Sequence, residues 1–289
     1  MNQLKKKCSL RIKHLSKTTF LFLSFFSQQL NIKKSEYENQ NITSCIKIGN
    51  TLVFIDHRNN QLIICNSDGT DIHDIPLSYA PWYITEIDNN TVAVSCVDDN
   101  TIQIINISTR SVTSSINTSS YCYGISYKDN NLYVVIDTSI IHVMDLTGKV
   151  RRTCTIPLPS DGINDITVDR DRLVCIDYIT LSIYCCSLDG KLMWKFEIDE
   201  TQDLIRGVTT DNEGNVYVTD KKTHTVIVVS DDGKHHRELL TKSDGLDTPR
   251  GIYYDKRENV LLVCNKTFIA SSLSCLTLDE IVSDGIDYK

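Results

Sequence analysis

The sequence predicts an all-β chain, a six-bladed β-propeller with a short N-terminal extension. Three observations carry that prediction. A phrase of about 40 residues recurs six times, each copy reads as short apolar strands joined by Asp/Asn/Gly turns, and the strands carry none of the edge protection that an open sheet needs.

The recurring phrase is an apolar strand, an Asp/Asn-rich turn, a second apolar strand and a polar turn that often ends in Gly. It runs Leu52-Val53-Phe54-Ile55-Asp56 with Leu62-Ile63-Ile64-Cys65, then Val92-Ala93-Val94-Ser95 with Ile102-Gln103-Ile104-Ile105. The third copy is Leu132-Tyr133-Val134-Val135 with Ile140-Ile141-His142-Val143, and the fourth Leu173-Val174-Cys175-Ile176-Asp177 with Ser182-Ile183-Tyr184-Cys185. Val216-Tyr217-Val218-Thr219-Asp220 with Val226-Ile227-Val228-Val229 follows, and Val260-Leu261-Leu262-Val263-Cys264 closes the series. Their first residues are separated by 40, 40, 41, 43 and 44 positions, a regularity that chance does not produce.

Before each copy stands another short strand, in several cases opening on Gly, as in Tyr123-Gly124-Ile125, Arg206-Gly207-Val208 and Arg250-Gly251-Ile252. Turns such as Asp129-Asn130-Asn131 and Asp211-Asn212-Glu213-Gly214-Asn215 supply the residues that tolerate left-handed backbone in a hairpin. Segments such as Arg151 to Ile156 and Leu192 to Ile198 read as a fourth, outer strand. Four antiparallel strands per unit of this length make a propeller blade, and closing the ring shields the edges. After Phe268-Ile269-Ala270 the repeat falters, so the stretch between Phe20 and Lys33 is expected to supply a strand that completes the last blade. The domains are accordingly a basic extension over residues 1–41 and the propeller over 42–283.

Charge is unevenly spread. The first 41 residues hold eight of the 30 Lys and Arg and two of the 37 Asp and Glu, which leaves an acidic body with 22 basic against 35 acidic side chains. Such a body disfavours a large nucleic-acid footprint. The 11 cysteines are odd in number, form no C-x-x-C pair and sit largely in apolar strand runs, the pattern of a reduced, cytoplasmic chain. The rival is a signal peptide, with Lys5 to Lys17 as its basic part and Phe20 to Phe26 as a short apolar part, but no Ala-x-Ala site follows. No apolar run reaches the length of a membrane-spanning helix, so no membrane partner is expected.

The phrase from Arg206 to Asp220, and Pro249-Arg250-Gly251-Ile252-Tyr253-Tyr254-Asp255, resemble NHL repeats. The resemblance is to the NHL β-propellers at the C-terminus of tripartite-motif (TRIM) proteins, covers about residues 42 to 270 and is strongest in copies five and six. It implies a non-catalytic protein-interaction propeller, the substrate-recruiting module of a TRIM-type ubiquitin-ligase system, without cofactor. The Cys and His spacings of a RING or B-box are absent from the sequence, so ligase activity would come from an upstream segment or a partner.

The starts of the inner strands and the turns between second and third strands gather on one face of a propeller. The residues expected there to bind a protein or peptide are Trp82, Tyr83, Tyr123, Arg206, Lys221 and Arg250, since aromatic and Arg side chains form interface hot spots. The same residues suit an RNA-binding propeller, the first alternative, although Asp98, Asp99 and Asp137 nearby would offset phosphate attraction. The second alternative is a calcium-dependent lactonase- or hydrolase-like propeller with Asn164 and Asp165 as ligands. No Glu stands at the start of an inner strand, and His142 and His235-His236 do not converge, so no metal site is expected.

Overall fold

The apolar runs of the repeat become strands buried on both faces. In the fourth copy Arg172–Asp177 is buried at every position, whereas the outer strand Leu192–Glu197 of the same blade is largely exposed. The computed structural model describes residues 22–24, 27–33, 40–156, 161–198, 205–266, 272–279 and 281–283. Within these residues the chain is an all-β propeller.

Five blades are each a single run of chain folded as a four-stranded antiparallel meander, over residues 42–76, 83–117, 122–155, 163–197 and 205–240. The expectation of six blades is corrected: five such blades form, and the last copy does not make a blade by itself. Its strands Pro249–Asp255, Val260–Asn265 and Ser272–Asp279 form a composite sheet whose fourth, outer strand is Ser27–Lys33 from the other end of the chain. A second short pairing, Phe22–Ser24 with Ile281–Ser283, ties the same two segments together.

Six inner strands therefore stand around one channel: Ile42–Ile48, Tyr83–Asp88, Cys122–Lys128, Ile163–Asp169, Ile205–Thr210 and Pro249–Asp255. Each is the edge of its own sheet, and an edge left with bare N–H groups is costly when buried. Side-chain oxygens of the preceding blade meet this need in four successive places. Thr85 Oγ1 accepts the N–H of Tyr127 at 3.1 Å, Ser126 Oγ that of Val168 at 3.0 Å, and Thr209 Oγ1 that of Tyr254 at 3.1 Å. Between the fourth and fifth blades the acceptor is a carboxylate, Asp165 Oδ2, 3.2 Å from the N–H of Val208.

Close approach of neighbouring inner strands also explains the glycines that open them. A Cβ on Gly124 would lie 2.6 Å from the Cα of Asp165, and one on Gly207 would lie 2.5 Å from the carbonyl oxygen of Arg250. Both collisions are with backbone, which cannot rotate away.

At the end of the channel formed by the hairpins between first and second strands, charges are paired. Lys47 bridges Asp255 and Glu258, Lys256 pairs with Asp169, and Arg257 pairs with Glu86 at 2.8 Å. Lys128 and Arg170 each donate to a backbone carbonyl of the next blade, Arg170 and Asn212 respectively, and Asn212 donates to Lys256 O at 2.9 Å. This belt closes one end of the ring with polar straps.

Two outcomes are expected. Gly124→Ala should destabilise the fold by about 1–3 kcal/mol in denaturant titration, since the added methyl has backbone on its far side. Removal of residues 1–35 should lower the melting temperature measurably by stripping the outer strand from the composite sheet; an unchanged melting temperature would refute the clasp.

Candidate active site at the mouth of the channel

The opposite end of the channel is built by a repeated backbone irregularity. The register of the inner strand shifts between Ile42 and Cys45, Cys122 and Ile125, Ile163 and Asp165, Ile205 and Val208, and Pro249 and Gly251. Such bulges re-aim side chains and concentrate at functional sites. The residues they carry here are Tyr123, Asn164, Arg206 and Arg250, while Trp82 and Tyr83 begin the one inner strand with a regular start. A second tier comes from the residue that follows the second strand in five of the six sheets: His57, Asp137, Tyr178, Lys221 and Lys266. Buried Asp side chains hold these turns: Asp177 Oδ1 accepts the N–H of Ile179 and Thr180, and Asp220 Oδ1 accepts those of Lys222 and Thr223.

The fifth blade and the composite sheet supply cations. Arg250 lies over the Trp82 ring, 4.8 Å from its centroid, and the same indole packs 4.1 Å from the His57 ring. Burial lowers the pKa of Arg250, and the neighbouring Arg206 lowers it further. Lys221 is lowered by burial and by Arg206 and Arg250. Lys266 is brought down to about 8 by burial and then by Lys221, Arg250 and Arg206. His57 is lowered by burial; its Nδ1 is 3.1 Å from the carbonyl oxygen of Pro81, so Nδ1–H donates there and Nε2 is left as the basic nitrogen.

One carboxyl lies below these cations in the channel. Asp165 lines the channel, which encloses about 420 Å³ and is lined by all six inner strands. Burial pushes its pKa up to about 8, against the opposing pull of the Val208 and Ile166 N–H groups and of Arg250. Tyr83, beside it, is held neutral by burial and by the Asp165 charge. Asn164, the next residue back, is 3 % exposed and neither atom of its amide has a partner.

The structure thus brings Trp82, Tyr83, Arg206, Lys221 and Arg250 into one cluster. Tyr123 stands apart from the cations, beside Tyr121, Tyr178, Asp98 and Asp137. Lys266, which the sequence reading passed over, belongs to the site. Lys266 could have been found by aligning the second strands, because it occupies in the last copy the place of Lys221. Asp165 was singled out only as a ligand in the second alternative, and nothing in its local sequence signals the raised proton affinity, which comes from burial. Among the described residues no group of three or more His, Cys, Asp or Glu is placed to hold a metal ion, and no helix is long and apolar enough to cross a membrane. Nine cysteines, from Cys45 to Cys264, are buried.

Comparison with known proteins is informative at the level of structure. No family model matches the chain, and no curated protein matches its sequence. Virginiamycin B lyase from Staphylococcus aureus is similar in fold, with 16% identity, a TM-score of 0.63, and coverage of 88% of this chain and 99% of that one. A streptogramin B lyase is similar at 12% identity and TM-score 0.62, covering 88% and 98%. A protein of unknown function from Bacteroides thetaiotaomicron reaches TM-score 0.69 at 12% identity, covering 89% and 78%. At these identities the likeness shows the propeller fold.

Two expectations change. The resemblance to NHL propellers of TRIM proteins reduces to the propeller fold, with no support for NHL or TRIM membership. The expectation of a non-catalytic chain is corrected, because the same fold over nearly the same length is that of lyases.

The Asp165 carboxyl has a testable signature. Its pKa in the folded chain, about 8, lies above the ordinary 3.8, so the native state favours the protonated form. The folded protein therefore loses stability, relative to low pH, as pH rises from about 4 to 8. Asp165→Asn should flatten that loss, so the melting temperature of the variant should gain on the parent from pH 5 to pH 8 and stay level above it.

Proposed function

We propose that this propeller is an enzyme of hydrolase- or lyase-like type that cleaves a small ester or lactone at the mouth of its channel. The observation that carries the reading is Asp165, a carboxyl with a pKa near working pH, fixed by two backbone N–H groups beside Arg250 and Tyr83. The lyase neighbours support it by showing that the fold houses such chemistry, and one of them is a catalytically inactive His-to-Ala variant of virginiamycin B lyase with quinupristin.

Hydrolysis breaks the acyl carbon–oxygen bond of the ester and elimination its alkyl carbon–oxygen bond, and both routes use Asp165 and Arg250. In hydrolysis, water adds to the carbonyl carbon while His57 Nε2 takes its proton, and protonated Asp165 gives a proton to the departing alkoxide. In elimination, ionised Asp165 takes a proton from the carbon next to the C–O bond, a carbon–carbon double bond forms, and the carboxylate leaves toward Arg250. In each case Arg250 faces negative charge that grows as the bond breaks, which is where fixed cations are worth most.

A second reading is a protein or peptide ligand on the same face. It is favoured by Tyr79, Tyr121, Tyr178 and Ile179, which are exposed in loops around the mouth. Recruitment of ubiquitin-ligase substrates would be one form of it. The RNA reading has no observation of its own beyond the shared cations.

Incubating the full chain with a panel of lactones, cyclic depsipeptides and aryl esters, read by mass spectrometry, tests the proposal. A product that gains one water marks hydrolysis, and ring opening at unchanged mass marks elimination. Turnover should fall at least about 100-fold in Asp165→Asn, the usual weight of one positioned proton-transfer group. Turnover that survives the substitution, or none across the panel, would count against the reading.

A further inference from the structure

The two ends of the channel treat positive charge differently. At the strapped end Lys47, Lys256 and Arg257 each have a carboxylate. At the mouth, Arg206, Lys221 and Arg250 have no ion pair among the described residues, although the chain has more acids than bases. Their charges act on one another: Arg206 and Arg250 both disfavour the charged form of Lys221, and Arg206 disfavours that of Arg250. Keeping three cations together without a counter-charge is unfavourable, and repulsion of this kind is relieved when an anion enters. Asn164 adds an independent sign. It sits at the bulge one blade before Arg206, at 3 % exposure and with both amide atoms unpartnered, so a donor and an acceptor stand unused at the place in that blade that Arg206 takes in the next.

We propose that Arg206, Lys221 and Arg250, with the Asn164 amide, bind a dianionic oxyanion head group of phosphate type carried by the substrate. This rests on the reading of the mouth as an enzyme site. A dianion fits better than a single carboxylate because three crowded charges are only partly balanced by one negative charge. Guanidinium groups on two adjacent blades present forked donors that match a tetrahedral oxyanion, and Lys221 adds a point charge. The carbon skeleton attached to the head group then extends toward Tyr123 and Tyr178, on the side of the mouth away from the cations.

Calorimetric titration of the full chain at pH 7 and low salt tests this with inorganic phosphate, acetate and an aryl phosphate. Phosphate should bind at least about tenfold more tightly than acetate, and Arg206→Gln and Lys221→Gln should each weaken it about tenfold or more, as expected for a lost charged hydrogen bond. Lys234→Gln, at an exposed turn on the far side of its blade, should leave it unchanged. Equal binding of phosphate and acetate, or phosphate binding that survives both mouth substitutions, would overturn the proposal. Aryl phosphate binding more tightly than inorganic phosphate supports a head group on a larger substrate; equal affinities would overturn that part and leave a free-phosphate site. The outcome is separable from the ester-cleavage reading. Asp165-dependent turnover without phosphate binding sinks only the head group, and phosphate binding without turnover of any ester sinks only the cleavage.

Discussion

Everything in this fold depends on bringing six sheet edges side by side around a channel without letting them pair. An inner strand has ladder bonds on one flank and nothing regular on the other, and its free N–H groups are buried. The chain meets them with a hydroxyl or carboxylate from the preceding blade, at Thr85, Ser126, Asp165 and Thr209. That device holds blades at a fixed spacing, and the spacing in turn demands glycine where backbones touch. The core between blades is then filled by the Val, Ile, Leu and Cys of the repeat, buried on both faces of each sheet.

The same device explains why one channel end is structural and the other is chemical. Hairpin turns at the first end lie close enough for Lys128, Arg170 and Asn212 to reach the next blade, and every strap there uses up a charge or an amide. At the mouth, bulges push the first residues of the inner strands out of the ladder. Side chains freed from packing duty converge on a common space, and their polar groups are not consumed by each other. Asp165 belongs to both systems: it accepts the inter-blade N–H of Val208, as a hydroxyl does elsewhere, and it carries a proton into the channel.

Much of this was legible in the residues. The period of the repeat, the strands, the Asp/Asn turns and the place of Arg206 and Arg250 one residue before Gly are all local patterns, and they mark Trp82, Tyr83, Arg206, Lys221 and Arg250 as residues of one face. Lys266 was legible too, by its equivalence to Lys221. Asp165 was visible as one acidic residue among many, singled out only as a ligand in the hydrolase-like alternative. The NHL-like wording of copies five and six indicated the fold and overreached on the function, because Arg-Gly before a strand reflects blade spacing in any propeller of this build.

The sequence by itself determined the blade: four strands, their order and the residues that turn them, since these depend on neighbours within about 40 positions. The faltering last copy also pointed to a closing strand between Phe20 and Lys33, but only the tertiary structure decided its partner and register, Ser27–Lys33 against Ser272–Asp279, because that pairing joins segments more than 200 residues apart that share no repeat signal. The tertiary structure also decided which charges are spent and which are left. Pairing and proton affinity are set by distance and burial across blades, and those exist only once the ring has formed.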